Sequence, residues 1–153
     1  PELHAAALEA SACRTDLAGA IPDGLPVFGE CGGLLYLTGE IAADTTYRMV
    51  GALPGRAVMT DRIAALGYTA GCPEGGPPFI ASGGEFRGHE FHYSRVECDP
   101  GARFSVRLSR GKGIVNGRDG MFEHHAAGMY THSYFTRKFA AAFMDAAAAY
   151  RRS

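Results

Sequence analysis

Apolar residues recur at helical intervals near both ends of the chain and in short extended runs between them. Over residues 3–17 the apolar positions Leu3, Ala7, Ala10 and Leu17 are spaced by 4, 3 and 7 residues, which predicts an amphipathic helix ending before Gly19 and Pro22. Leu25-Pro26-Val27-Phe28 is a brief apolar run with a β-branched and an aromatic residue, and predicts a short strand. Gly29-Glu30-Cys31-Gly32-Gly33 then turns that run into Leu34-Leu35-Tyr36-Leu37, predicted as a second helix. Helix, strand, tight turn and helix in this order predict a parallel sheet of the α/β class.

The middle of the chain is strand-rich: residues 48–59, 67–71, 89–97, 102–109 and 129–135 are predicted as short strands between Gly and Pro punctuation. Residues 71–78 predict a surface loop on composition, continued by Ser82-Gly83-Gly84. Thr136 is placed to cap a closing helix, in which Phe139, Phe143, Ala146 and Tyr150 recur at spacings of 4, 3 and 4 as one buried stripe. Neither an internal repeat nor a shift of composition divides the chain. Its 153 residues with 46% hydrophobic content suffice for one core, so residues 1–153 are expected to form one domain.

Charge narrows the function classes. Fifteen basic residues stand against sixteen acidic ones, so the chain lacks the excess that draws proteins onto nucleic acid or anionic membranes, and small-molecule or protein partners are expected. The longest apolar stretch, residues 21–37, is interrupted by Pro22, Asp23, Gly24, Pro26 and Glu30, so no membrane span is predicted. Pro1-Glu2-Leu3-His4 has no leader character, and the four cysteines Cys13, Cys31, Cys72 and Cys98 include no C-x-x-C pair. These features predict a reducing, cytoplasmic setting.

Cys31 stands between a strand and a helix, preceded by Glu30 and followed by two glycines. A strand-turn-helix elbow holds a nucleophile at the top of a sheet, and small neighbours let the backbone bend. The amides of Gly32 and Gly33 at a helix start would favour thiolate and would face the oxyanion of a tetrahedral intermediate. A small buried hydrophobe accounts for Cys31 about as well on spacing alone. Cys13, Cys72 and Cys98 lack this setting.

A thiol nucleophile needs a base, and six histidines are present. His4 is terminal, and His124-His125 lies in a polar turn. His132 lies in the aromatic, strand-like run Met129-Tyr130-Thr131-His132-Ser133-Tyr134-Phe135, where the end of a parallel strand would bring it to the sheet edge of the Cys31 elbow. A hydrogen-bonded core histidine is the bland alternative. His89 and His92, with Cys98 nearby, invite a metal reading, but residues three apart on a strand face opposite sides and no further ligand pair is spaced to help.

Glu30-Cys31-Gly32-Gly33-Leu34-Leu35-Tyr36-Leu37, Gly67-Tyr68, Gly88-His89-Glu90-Phe91-His92-Tyr93-Ser94 and Tyr130-Thr131-His132-Ser133-Tyr134-Phe135, in that order, resemble the C-terminal half of the cobyrinic acid a,c-diamide synthases. The resemblance implies a class I, triad-type glutamine amidotransferase domain: a three-layer, flavodoxin-like α/β sheet with flanking helices. It implies Cys31 as nucleophile, His132 as base, Gly32 and Gly33 as oxyanion donors, and supporting places for Glu30, Tyr134, His89 and His92. Glutamine would be the nitrogen donor and a corrinoid or related tetrapyrrole the acceptor. ATP and Mg are expected in a separate synthetase domain or subunit, since Gly111-Lys112-Gly113 is no phosphate loop: Val106 stands where its first glycine belongs and no hydroxyl follows Lys112. No cofactor is expected in this domain, and a homodimer is left open.

The chain departs from the family's pattern in two places. The first helix of the family follows a Gly-Gly-aromatic-Pro-Glu stretch that supplies an oxyanion donor, and this sequence starts inside it at Pro1-Glu2-Leu3, so the domain is expected to be N-terminally truncated and inactive alone. Tyr134 occupies the position where triad-type enzymes commonly place glutamate, which leaves a Cys31–His132 dyad with no assigned third member. Cobyric acid synthase, the nickel-sirohydrochlorin counterpart and a non-catalytic α/β binding module are the alternatives.

Overall fold

The computed structural model describes residues 1–81 and 84–151. A 3-10 turn at Glu2–His4 leads into α1 (Ala5–Glu9) and α2 (Ala12–Ala20), followed by β1 (Val27–Glu30) and α3 (Gly32–Leu37). Three short strands come next: β2 (Glu40–Ala42), β3 (Thr46–Arg48) and β4 (Gly55–Met59). Then follow β5 (Ala65–Pro73), α4 (Pro78–Ala81), β6 (Phe86–His92), β7 (Ser94–Cys98) and β8 (Arg103–Arg110). The chain closes with β9 (Arg118–Glu123), β10 (Ala126–Met129), β11 (His132–Ser133) and α5 (Arg137–Tyr150).

Seven strands form the main sheet in the order β1-β10-β9-β8-β5-β6-β11, and four form a smaller one in the order β3-β2-β4-β7. Helices cover both faces. Ala5, Ile21, Leu34, Leu35 and Leu37 pack with Ile41, Ala57 and Val96 of the small sheet and with Met121 and Ala126 of the main sheet. On the other side Phe79, Ile80 and Phe139 from α4 and α5 pack against Phe86, Val106, Leu108, Ala127 and Met129. Successive residues of β10 thus feed opposite cores, as the period of two requires. This is the three-layer α/β arrangement expected from the resemblance.

Parallel pairing is narrower than the opening order of elements predicts. Among the described residues of the main sheet only β1 and β10 run parallel, and the other pairs are antiparallel. Strands β8, β9 and β10 are joined by short connections, which permit antiparallel pairing only.

Several boundaries move. The predicted helix over residues 3–17 is broken into a turn and two helices. Ser11 caps α2 by accepting from the Cys13 amide at 3.2 Å, and α2 runs through Gly19 to Ala20. The predicted strand over residues 48–59 is interrupted because Val50, Gly51 and Ala52 amides donate to the carbonyls of Tyr36, Thr38 and Leu37, closing the C-terminal end of α3. Residues 89–97 divide at Tyr93, where the chain leaves the main sheet for the small one. The predicted loop over residues 71–78 begins only after β5 ends at Pro73, and its continuation at Ser82 and Gly83 lies outside the described residues. The closing helix forms with the predicted cap, the Thr136 hydroxyl accepting from the Phe139 amide at 3.1 Å, but of the predicted buried stripe Phe139 is buried and Phe143, Ala146 and Tyr150 are only partly so.

Candidate active site

Cys31 follows β1 in a strained positive-φ backbone conformation, φ 47° and ψ −103°, a geometry that costs a non-glycine residue about 1–3 kcal/mol. It is held there by its amide, which donates to the Met129 carbonyl at 2.8 Å, and by its carbonyl, which accepts from Leu35 at 3.1 Å. Gly29 is required by the same bend: a Cβ at that position would lie 2.6 Å from the Gly33 carbonyl carbon. Pro1 packs on the other side of the elbow, where a Cβ on Gly32 would come within 2.9 Å of its ring.

The half-buried thiol donates a long hydrogen bond to the Phe91 carbonyl at 3.9 Å. Burial pushes its pKa up. The Gly32 amide pulls it down, and the Glu2 and Glu30 carboxylates push it up further. The thiolate-favouring influence expected at the start of α3 is therefore outweighed by desolvation.

Backbone pairing puts the two candidate residues beside different strands of the main sheet, Cys31 after β1 and His132 in β11. Glu30 pairs with Met129 at the C-terminal ends of the parallel strands β1 and β10; Cys31 follows Glu30 by one residue and His132 follows Met129 by three. Rather than continuing β10, the chain turns through Tyr130-Thr131 into β11, which pairs with β6 through His132 opposite His89 and Ser133 opposite Gly88. The predicted strand over residues 129–135 is thus two strands with different partners. The His132 ring stacks on that of His89, with centroids 4.9 Å apart and planes 7° from parallel. Among the described residues no hydrogen bond joins His132 to Cys31, and catalytic contacts commonly tighten only when substrate binds.

Two carboxylates hold the backbone around His132. Glu30 accepts from the Ser133 amide at 2.7 Å. Asp119, fully buried in β9, accepts from the amides of Gly120 (3.0 Å), Tyr130 (3.0 Å) and Thr131 (3.1 Å) and from the Thr131 hydroxyl (2.8 Å). Burial raises the Asp119 pKa to about 6 against the pull of those four donors. The sequence patterns assign neither an element nor a role to Asp119, which the structure puts inside β9.

The other supporting residues separate. His92 faces away from His89, buried with its ring 3.5 Å from that of Tyr130, and its Nδ1 pairs with the Ser94 carbonyl at 2.8 Å. Its Nε2 has no hydrogen-bond partner, and burial lowers its pKa. Tyr134 is 68% exposed and reaches β6 through its amide, which donates to the Arg87 carbonyl at 2.9 Å. The amides of Lys112 and Gly113 donate to the buried Glu90 carboxylate at 2.7 and 3.1 Å, so this glycine loop wraps a protein carboxylate. Among the described residues no group of three or more His, Cys, Asp or Glu could hold a metal ion. Cys98 lies in the small sheet, and Cys13 and Cys72 are exposed away from the elbow.

The chain is 37% identical over its whole length to cobyrinate a,c-diamide synthase of Methanosarcina barkeri, and 38% identical over 95% of its length to the enzyme of the same name from Halobacterium salinarum. It spans about a third of each, 34% in both cases. Among solved structures it is similar to PurLQS from Thermotoga maritima (TM-score 0.62, 14% identity, 97% of this chain and 72% of that one). A solved glutamine amidotransferase is similar at TM-score 0.60 and 16% identity, over 88% of this chain and 68% of the other. At such identities these likenesses speak for the fold. Residues 1–139 match the CobB/CobQ-like glutamine amidotransferase domain, and the chain belongs to that family.

Proposed function

We propose that this chain is the glutamine-hydrolysing domain of a synthase that amidates the a and c carboxylates of cobyrinic or hydrogenobyrinic acid, with Cys31 as nucleophile and His132 as its base. The observation that supports the reading is the strained Cys31 elbow, next to which Glu30 accepts from the amide of Ser133, the residue after His132.

Because burial favours the neutral thiol, its proton passes to His132 as sulfur attacks the glutamine side-chain carbonyl carbon. The oxyanion that forms faces the amides of Gly32 and Gly33. Collapse of the intermediate breaks the carbon–nitrogen bond, His132 returns its proton to the departing nitrogen, and ammonia leaves a γ-glutamyl thioester on Cys31. Water, deprotonated by His132, then hydrolyses the thioester to glutamate and restores the thiol. Substrate must displace the Phe91 carbonyl from the thiol in the first step.

Ammonia would then be consumed at an ATP-activated carboxylate of the macrocycle. The sequence has no phosphate-cradling loop and the amides of Lys112 and Gly113 are already taken by Glu90, so ATP and Mg fit a separate ATP-binding domain or subunit. The names of the relatives favour the a,c-diamide synthase over cobyric acid synthase. The four free cysteines fit a reducing cytoplasm, and no described helix is long and apolar enough to cross a membrane.

In the complete enzyme, Cys31→Ser and His132→Ala are each expected to abolish glutamine-driven amidation and to leave ammonia-driven amidation nearly intact. Loss of both activities together would mean that these residues support the fold and not glutamine hydrolysis.

A further inference from the structure

The geometry points to Glu30 as the positioning residue that registers the base against the nucleophile, taking through the backbone the place that a side-chain carboxylate would fill. The inference rests on the assignment of Cys31 and His132 above.

With Tyr134 turned to solvent, the residue two positions after His132 gives its imidazole no carboxylate. The protein instead fixes the peptide units on either side of it. Ser133 donates its amide to Glu30 and Thr131 donates its amide to Asp119. The His132 carbonyl lies against Gly88 of β6, and the imidazole is stacked on His89. With the flanking amides anchored, the Cα–Cβ direction of His132 is set by the backbone, and the stack sets the plane of the ring.

Of the two carboxylates, Glu30 alone belongs to the nucleophile's own strand. It directly precedes Cys31, and its backbone is already paired with Met129 across the parallel β1–β10 ladder. Among the side-chain contacts of the described residues around the site, this 2.7 Å hydrogen bond links the residue before the nucleophile directly to the residue after the base, without passing through a helix or the small sheet. Its carboxylate contacts backbone, so its effect on chemistry runs through His132.

The test uses steady-state glutamine hydrolysis and ammonia-driven amidation by the complete enzyme. Glu30→Ala is expected to lower the glutaminase kcat about a hundredfold by letting His132 drift, with KM changed less than about threefold and ammonia-driven amidation unchanged. Glu30→Gln keeps an acceptor for Ser133 and is expected to lose only about tenfold. Should Glu30→Ala also lose ammonia-driven amidation through misfolding, Glu30→Gln decides alone: about tenfold loss in kcat upholds the inference and a wild-type rate overturns it. Equal large losses in both variants would overturn it too, since they would give the charge a direct part in the chemistry. His132→Ala measured alongside separates the two levels: if it retains glutamine hydrolysis, the assignment of the base has failed and not merely the role of Glu30.

Discussion

The amide of Ser133 meets the carboxylate of Glu30 at 2.7 Å, joining two residues 103 positions apart in the chain, each adjacent to one member of the proposed Cys31–His132 pair. A local contact of this kind makes the site sensitive to small displacements of β11, and the strand's other neighbours carry the same sensitivity.

Gly88 pairs with Ser133, and a Cβ there would collide with the His132 carbonyl. Gly88→Ala is expected to push β11 away from β6 and to lower glutamine hydrolysis about a hundredfold, with ammonia-driven amidation retained. Gly19→Ala is the control: it lies within α2 with open space around it, and is expected to add about 0.5–1 kcal/mol of stability without touching kinetics. Wild-type glutaminase in Gly88→Ala would show that β11 tolerates the displacement.

Asp119 gives a prediction whose sign can be worked out. Burial raises its pKa from 3.8 to about 6 in the folded chain, so between those values the folded state holds the proton more tightly than the unfolded one. Its contribution to stability is complete below about pH 4 and declines as pH rises through about 6. An asparagine in its place does not titrate. The stability gap between wild type and Asp119→Asn, measured by urea unfolding, is therefore expected to be largest near pH 4 and to narrow toward pH 7, by on the order of 3 kcal/mol. A gap that widens with pH would show that the four donors outweigh burial.

Thiol labelling should separate accessibility from substrate recognition. Cys13 and Cys72 are exposed, whereas burial pushes the half-buried Cys31 thiol up. A small general alkylating agent is expected to modify Cys13 and Cys72 first, while a glutamine-mimicking electrophile modifies Cys31 selectively over Cys13, Cys72 and Cys98. The same order with both reagents would favour a non-catalytic module.

The legible parts of this protein are those in which cause and effect lie within a few residues. The Cys31 elbow is one, because the glycines that permit its bend are its own neighbours, and Gly29 is excluded from carrying a side chain by Gly33 only four positions on. The closing helix is another: its cap and its stripe of Phe139, Phe143 and Ala146 follow from hydrogen bonding and periodicity within one segment.

Tertiary structure decided whatever depends on a distant partner. Residues 89–96 alternate between buried and exposed across Tyr93 while the chain changes sheets. The buried positions up to Ser94 are the polar Glu90, His92 and Ser94 and the exposed ones include Phe91 and Tyr93, so residue polarity reveals neither the buried face nor the strand it meets. Asp119 has no assigned role until β8 and β10 enclose it and the amides of Tyr130 and Thr131 reach it. The Cys31 thiol has a helix start beside it in sequence, yet its protonation is governed by desolvation, a property of everything packed around it. Local geometry can be encoded by neighbours alone, whereas burial and long-range hydrogen bonding exist only once the sheets have closed.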